Sequence, residues 1–379
     1  MSNTSTICSL PSCKKPINTT PIYDPVLTSF FGDPWFACPY CRDVPVKGSP
    51  GLQNSVTYCS NAHRIEDADN HRNTCLKRKD LRCIDRTAQI NALVFGWATK
   101  YAWAARYVVE SFRSDNELQV YCRMRLSAQD IRQEGQENGL DYRDVVAAAS
   151  SGKAAWAITL STPLICWLLQ DLDVELLSWD SVPAIARPTS LHVRGYDQIY
   201  PPTNHPFITI EPKRYPIAYD GIVIDLSAPQ HGYTCPIEHQ ESYFPHRVHC
   251  GISYEFSRQY KAHICNLREH RSAADKTEDI LLEAFIRICC NTLHRKITEL
   301  GADGIDNLFT MNSQYFEVFL KGLSVAVREE LYAYQEHIDH VIYDPNDKEG
   351  RIQLFAHLDQ QGYQAMTKAY DLRCEAMGS

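Results

Sequence analysis

The pattern of apolar and polar residues predicts helices over much of the chain after about residue 85. Apolar residues recur there at helical spacing and predict a long amphipathic helix, whose stripe is Ile90, Leu93, Val94, Trp97, Tyr101, Ala105, Val108 and Phe112. Further helices are expected at 127–138, near 141–150, over 272–335 and after the turn that starts at Tyr343. The first 80 residues differ, because their apolar runs are short and helical periodicity starts only near Asp67.

The middle of the chain mixes apolar and β-like segments. Thr162-Pro163 has the form of a helix start, with a threonine cap and proline in the first turn. The apolar run 154–169 is short for a membrane span and contains this proline, so we interpret it as buried core. Two strands are predicted, at 207–210 and 221–226.

These elements together predict an α+β protein in two parts. Residues 1–80 are rich in Cys, Pro, Asn and Ser, and such a loop-rich module needs added cross-links to fold. We expect a small cross-braced module with two zinc ions there. Residues 81–379 should form a mostly helical body with a short β region.

Composition limits the classes of function. The net charge of −8 in 379 residues disfavours broad binding to nucleic acid or to membrane surfaces. No secretory signal is recognisable at the start, which predicts a cytoplasmic or nuclear protein. In a reducing compartment the fifteen cysteines are expected to be thiols or metal ligands rather than a disulfide framework.

Metal ligation is the chemistry that the first 75 residues favour. Zinc takes four Cys or His ligands in a tetrahedron, and close pairs such as C-x2-C direct two ligands at one ion. Eight candidates form four such pairs: Cys8, Cys13, Cys38, Cys41, Cys59, His63, His71 and Cys75. With all eight used, neither ion keeps an open position, so both sites should be structural rather than catalytic.

The second half of this pattern resembles a MYND zinc finger. That family has a Tyr-Cys pair, a ligand after three residues, a His after seven more and a Cys after a further three. Tyr58-Cys59, His63, His71 and Cys75 reproduce this spacing. The first half is a looser match, because Cys8 and Cys13 are further apart than the family's pair, and His63 stands where the family has Cys.

The resemblance also implies how the ligands are shared and what the module does. MYND sites are interleaved, so site one would be Cys8, Cys13, Cys59 and His63, and site two would be Cys38, Cys41, His71 and Cys75. MYND modules present a groove to short proline-containing peptides. The resemblance therefore implies a protein–protein interaction module or adaptor, more plausibly a non-enzyme, whose partner is a protein.

A second, weaker resemblance concerns residues 155–235. His205 before one predicted strand and Asp225 at the end of the next have the order of transglutaminase-like and papain-like thiol enzymes. In that family a nucleophilic Cys opens the preceding helix, where the helix dipole lowers its pKa. With the helix start placed at Thr162-Pro163, that position holds Ser161 or Thr162, and Cys166 lies one turn further.

Three functions thus stay open from the sequence. The zinc-stabilised interaction module is favoured. A thiol hydrolase or acyl transferase is the enzyme alternative, and the missing Cys suggests an inactive descendant. Binding of nucleic acid through the finger is the third alternative, which the acidic net charge disfavours.

Overall fold

The protein is an α+β structure in the computed structural model. The structure describes residues 6–7, 9–13, 15–17, 44–46, 49–54, 56, 58–124, 141–195, 205–213, 221–255, 273–334 and 361–376. Its helices are α1 (Asn61–Glu66), α2 (Ala68–Arg106), α3 (Tyr142–Ser150), α4 (Ala154–Leu168), α5 (Gln240–Arg247), α6 (Ala273–Thr298), α7 (Gly304–Thr310), α8 (Ser313–Ala333) and α9 (Gln361–Ala376).

The strands form two larger sheets and two short ribbons. They are β1 (Thr6–Ile7), β2 (Pro16–Ile17), β3 (Val44–Val46), β4 (Ser49–Asn54), β5 (Tyr107–Ser114), β6 (Leu118–Met124), β7 (Val174–Pro183), β8 (Thr189–Val193), β9 (His205–Pro212), β10 (Ile222–Ile224), β11 (Ile237–His239) and β12 (Val248–Glu255). The larger sheet is antiparallel with the order β11-β10-β9-β7-β12. In the second sheet, β5-β6-β8, the pair β6/β8 is parallel.

Helix α2 joins the N-terminal segment to the body. It runs for 39 residues, which corresponds to about 58 Å. Residue 80, the sequence-based boundary between module and body, lies inside it. The predicted helix was too long at its end, because the chain turns into strand β5 at Tyr107. The β-branched Val108 and Val109 suit a strand, and β5 pairs with β6.

The start of helix α4 was also predicted wrongly. The helix begins at Ala154, two turns before Thr162-Pro163, and carries Pro163 in its interior. Gly152, with a φ of 71°, ends the preceding turn at no steric cost. The Thr162 hydroxyl does not cap a helix start; it donates to the carbonyl of Ile158 one turn earlier.

The other sequence-based elements have mixed outcomes. The helix near 141–150 is confirmed as α3, and its cap is Asp141, whose side chain accepts from the Asp144 N–H at 2.9 Å. The strand at 207–210 is confirmed within β9, and β10 confirms the core of the strand at 221–226. The helix expected at 127–138 lies outside the described residues.

The main core lies between the long helices and the larger sheet. Buried residues of α2, α4, α6, α8 and α9 form one cluster with inward residues of β9 and β10. The apolar run 154–169 belongs to this cluster, as its composition predicted. In the described part of the chain, no helix is both long and apolar enough to cross a membrane.

This packing places two strand ends side by side. In the register of β9 and β10, Ile224 lies opposite Ile208, so Asp225 follows β10 close to the point where β9 begins with His205. Helix α4 packs against β9 and brings its own start to the same region.

Candidate functional site

The N-terminal segment contains a cluster of metal-ligand side chains. The sulfur atoms of Cys13 and Cys59 are 3.8 Å apart, and Cys59 Sγ is 3.1 Å from His63 Nδ1. Their ligand atoms all lie within 4.8 Å of one another. A tetrahedral zinc ion with Zn–S bonds of about 2.3 Å separates its sulfur ligands by about 3.8 Å. Two thiols and an imidazole at these distances are a donor set that suits zinc.

Local structure fixes the geometry of this cluster. Cys13 lies in a tight turn, where its N–H donates to the Leu10 carbonyl at 2.9 Å. Ser60 caps α1 by accepting from the His63 N–H, and this holds His63 in the first turn of the helix, next to Cys59. A short helix directly after a ligand therefore brings the second ligand back to it.

A small core supports the cluster from behind. Tyr58 is 1% exposed and packs with Leu10. Its hydroxyl donates to Asp67 Oδ2 at 2.8 Å, and its ring meets the His71 ring edge-on at 6.3 Å. Tyr58 thus connects the cluster of Cys13, Cys59 and His63 to the start of α2.

The remaining predicted ligands are less fully described. Cys8, Cys38 and Cys41 lie outside the described residues. His71 and Cys75 are partly buried and lie one turn apart on α2, so they share one helical face. The structure thus brings together three of the four ligands expected for site one, while two of the four expected for site two are described.

A second site lies in the body, where His205 and Asp225 meet. His205 Nε2 and Asp225 Oδ2 are 2.8 Å apart, and both side chains are 2% exposed. The Tyr243 hydroxyl of α5 donates to the same carboxylate oxygen at 2.7 Å. Burial alone would raise the pKa of Asp225, but the His205 ring and the Tyr243 hydroxyl together hold that pKa below its ordinary value. Asp225 is therefore a buried carboxylate held by donors.

The other nitrogen of His205 faces a third side chain instead of a nucleophile. His231, in the 3-10 turn Ala228–His231, places its Nε2 3.0 Å from His205 Nδ1. In this contact one of the two ring nitrogens donates and the other accepts. Burial and then the charge of His205 lower the pKa of His231 to about 3.

The start of helix α4 adjoins this network, and its first residues carry no thiol. The Gly152 N–H donates to Gln230 Oε1 at 2.9 Å, and Gln230 Nε2 lies 3.5 Å from His205 Nδ1. Gln230 therefore bridges the helix start and the histidine. The residues at that start are Lys153 and Ala154, neither of which has a thiol or hydroxyl.

The residues that the sequence suggested for the nucleophile position lie elsewhere. Ser161 and Thr162 are about 10–12 Å along the axis from the start of α4, and Cys166 is about 18 Å from it. Burial raises the pKa of the Cys166 thiol to about 12, so it stays protonated and unreactive at neutral pH. The expectation that Ser161 or Thr162 holds the nucleophile position is wrong, because the helix begins at Ala154.

Three members of the network were missed from sequence. His231 and Gln230 fall in the segment after Asp225, and only the motif IDLSAPQHG itself could have drawn attention to them. Tyr243 has no sequence signal, since an aromatic residue on a short helix is ordinary. Comparisons of the chain with protein-family models, with curated proteins and with solved structures found no match.

The neutral state of His231 predicts a pH dependence of stability. Its pKa is about 3 when folded and near 6.5 when unfolded, so below about pH 6.5 the unfolded chain binds the extra proton. The free energy of unfolding should therefore fall with pH from about 6.5 to 3, by up to about 1.4 kcal/mol per pH unit from this group. Urea unfolding at several pH values measures this slope.

Two variants isolate the contribution of His231 to that slope. His231→Gln removes the titrating group and should flatten the pH dependence between about pH 6.5 and 4, whereas the exposed His249, changed to Gln, should leave it unaltered. Equal slopes for wild type and His231→Gln would contradict the assignment. Comparing variants also removes the effect of other groups that titrate in this range.

Thiol reactivity provides a separate prediction about the body. Cys166 should label slowly with an alkylating probe at neutral pH because it is buried, while the exposed Cys235 and Cys250 should label quickly. Peptide mapping by mass spectrometry distinguishes the sites. Fast labelling of Cys166 that disappears in a His205→Ala variant would instead reveal an activated thiol.

Proposed function

We propose that this protein is a zinc-stabilised protein–protein interaction module or adaptor. The observation that carries the proposal is the approach of Cys13, Cys59 and His63 at distances that suit one tetrahedral ion. In this proposal Cys8 supplies the fourth ligand of site one. Cys38, Cys41, His71 and Cys75 hold a second ion, as the interleaved sites of MYND fingers imply.

Zinc has a structural role in this proposal. The N-terminal core described here consists of Leu10 and Tyr58 with partly buried neighbours, which is too little apolar surface to fold a module alone. Structural zinc in small fingers supplies on the order of 10–16 kcal/mol of apparent binding free energy. The folded module then presents a groove in which a pre-extended, proline-containing segment binds at low entropic cost.

The body supports a non-enzymatic role. The His205–Asp225 distance of 2.8 Å favours the thiol-hydrolase resemblance as a second candidate. Catalysis by such a pair requires a nucleophile within hydrogen-bond reach of the histidine, about 2.6–3.2 Å away. His231 lies at that distance from His205 Nδ1, and the helix start holds Lys153 and Ala154. We therefore propose an inactive descendant of such an enzyme.

Binding of nucleic acid is the least supported alternative. It would need a basic face on the finger, and the net charge of the chain is −8. Release of counterions from phosphates, the main source of such affinity, requires several Lys and Arg side chains that contact phosphates together, and the acidic net charge disfavours such a face.

Metal content tests the zinc assignment. Purified protein should contain two zinc ions per chain, and His63→Ala should lower this to one because site one loses a ligand. His63→Cys should keep both ions, since Cys and His both bind zinc and the family has Cys here. Elemental analysis measures the stoichiometry, with the exposed His249→Ala as the matched control. Well under one zinc per wild-type chain would exclude the assignment.

Peptide binding tests the interaction role itself. Short fluorescent peptides containing two prolines should bind the zinc-loaded full chain, and the same peptides with alanine in place of proline should bind at least roughly tenfold more weakly. Fluorescence anisotropy measures both. The His63→Ala variant should lose the binding, while circular dichroism should show that its helical body persists. Equal affinity for the proline and alanine peptides would contradict a proline-binding groove.

A further inference from the structure

Helix α8 exposes a row of apolar side chains on the surface of the body. The described part of the chain has ten exposed large apolar residues, and four of them lie on this helix: Tyr315, Val318, Val325 and Tyr332, which are 53%, 61%, 45% and 50% exposed. Together with Gly322 and Glu329 they follow one another at intervals of 3, 4, 3, 4 and 3 residues. These six positions are called the α8 stripe below.

The α8 stripe lies opposite the face with which the helix packs. The residues buried against the body are Phe316, Leu323, Val327 and Leu331. At 100° per residue they centre on the side of the helix away from the stripe. A surface helix needs one apolar face to pack on its protein, and α8 has two. The second face is exposed.

The middle of the stripe is open. A Cβ atom added at Gly322 would meet nothing within 4 Å. Tyr332 touches Tyr101 edge-on, with ring centroids 5.3 Å apart, and still leaves half of its surface exposed. A glycine between larger residues lets another backbone come close at this point.

The spacing of the stripe specifies the shape of what it fits. Apolar residues at alternating intervals of three and four form the seam along which two α-helices pack. In such a seam the side chains of one helix fill the gaps between side chains of the other. Lys321 and Arg328 are exposed along one flank of the stripe, and neither forms an ion pair with any described residue. Glu317 lies on the same flank one turn before Lys321, so two positive charges and one negative charge leave the flank net positive in a chain whose net charge is −8.

We propose that the α8 stripe is the docking surface for an amphipathic α-helix of a partner protein, with acidic residues along the flank that faces Lys321 and Arg328. The apolar seam supplies the contact area, and the charges set orientation and select the partner. The stripe lies on the body and uses no zinc ligand. It is a second surface, and it does not depend on the function proposed for the finger.

Charge argues against a second copy of this chain as the occupant. A parallel copy in register would place Glu329 opposite its own equivalent in the seam. An antiparallel copy would place Lys321 of each chain close to Arg328 of the other, with both contacts on the same side of the interface. Like charges brought together in this way oppose association, whereas acidic residues on a partner helix remove the conflict.

A membrane surface is a poorer fit than a helix. A helix that lies in the bilayer interface needs a broad apolar face and low negative charge on it. The stripe is one seam wide, and the exposed Glu317 and Glu329 lie beside it and within it. These carboxylates would have to approach anionic lipid head groups.

A synthetic helix tests the proposal directly. The probe is a fluorescent helical peptide with leucine at the two seam positions of each heptad and glutamate along the flanks; its control carries lysine in place of glutamate. Anisotropy with the full chain should show saturable binding of the acidic peptide, at least roughly tenfold tighter than that of the basic peptide. The preference should weaken as salt is added.

Variants on the stripe and away from it locate the binding. Val318→Glu with Val325→Glu should weaken binding of the acidic peptide at least roughly tenfold, and the exposed Leu372→Glu on α9 should not. Lys321→Glu with Arg328→Glu should reverse the preference between the two peptides. All of these side chains are exposed, so the variants should melt at the same temperature as the wild type. An unchanged melting temperature shows that weaker binding does not result from unfolding.

Each contrary outcome overturns the proposal. Equal binding by wild type and the Val318/Val325 variant would mean that the stripe is not the site. Sedimentation showing a dimer that Val318→Glu dissociates would assign the stripe to a second copy. Binding to vesicles of anionic phospholipid that the same variant abolishes would assign it to a membrane. Removal of zinc should leave peptide binding at the stripe intact, which separates this result from failure of the finger hypothesis.

Discussion

The polar network inside the body depends on one buried carboxylate, that of Asp225. Asp225 is 2% exposed, and an ionised carboxylate in such a place costs several kcal/mol unless donors surround it. His205 and Tyr243 supply these donors within 2.8 Å, from β9 and from α5. Ser227 stands near the second carboxylate oxygen, at 3.4 Å. Sheet, helix and turn must all be in place before the charge can be buried, so the network specifies a single arrangement.

The same network determines what surrounds the second nitrogen of His205. In a working thiol enzyme the second nitrogen of the histidine is left to the nucleophile. Here a neighbouring turn supplies His231 to that nitrogen and Gln230 to the backbone at the start of α4. The polar groups that would act on a substrate satisfy one another instead. Such a network gives the body rigidity and a unique packing.

The stability of the N-terminal segment has a different origin. The body has a large apolar core drawn from five helices and a sheet, whereas the described N-terminal core centres on Leu10 and Tyr58. What organises the segment is the approach of Cys13, Cys59 and His63, together with the hydrogen bond between Tyr58 and Asp67. Hydrophobic burial therefore dominates the body, whereas contacts between polar side chains and thiols are prominent in the described part of the N-terminal segment.

Sequence reasoning succeeded where a signal was local and failed where packing decided. The spacing of Cys59 and His63 is a local signal, and so is the β-branched run in β9. Thr162-Pro163 was a misleading local signal, because a helix held by a buried apolar face tolerates an interior proline. The end of α2 near Tyr107 depends on the pairing of β5 with β6. The partner of His205 comes from a turn 26 residues later in the sequence. Neither contact can be recognised from a short stretch of sequence.

The continuity of α2 has a consequence for how this protein can change over generations. Its first turns carry His71 and Cys75, and its later turns form the centre of the body. A cut at residue 80 would leave about 13 residues of the helix on the N-terminal side, a length at which an isolated helix is marginal in water. Modules that are joined by loops can be exchanged between genes as independent pieces. An N-terminal segment whose last helix is also the central helix of the body can only be inherited together with that body.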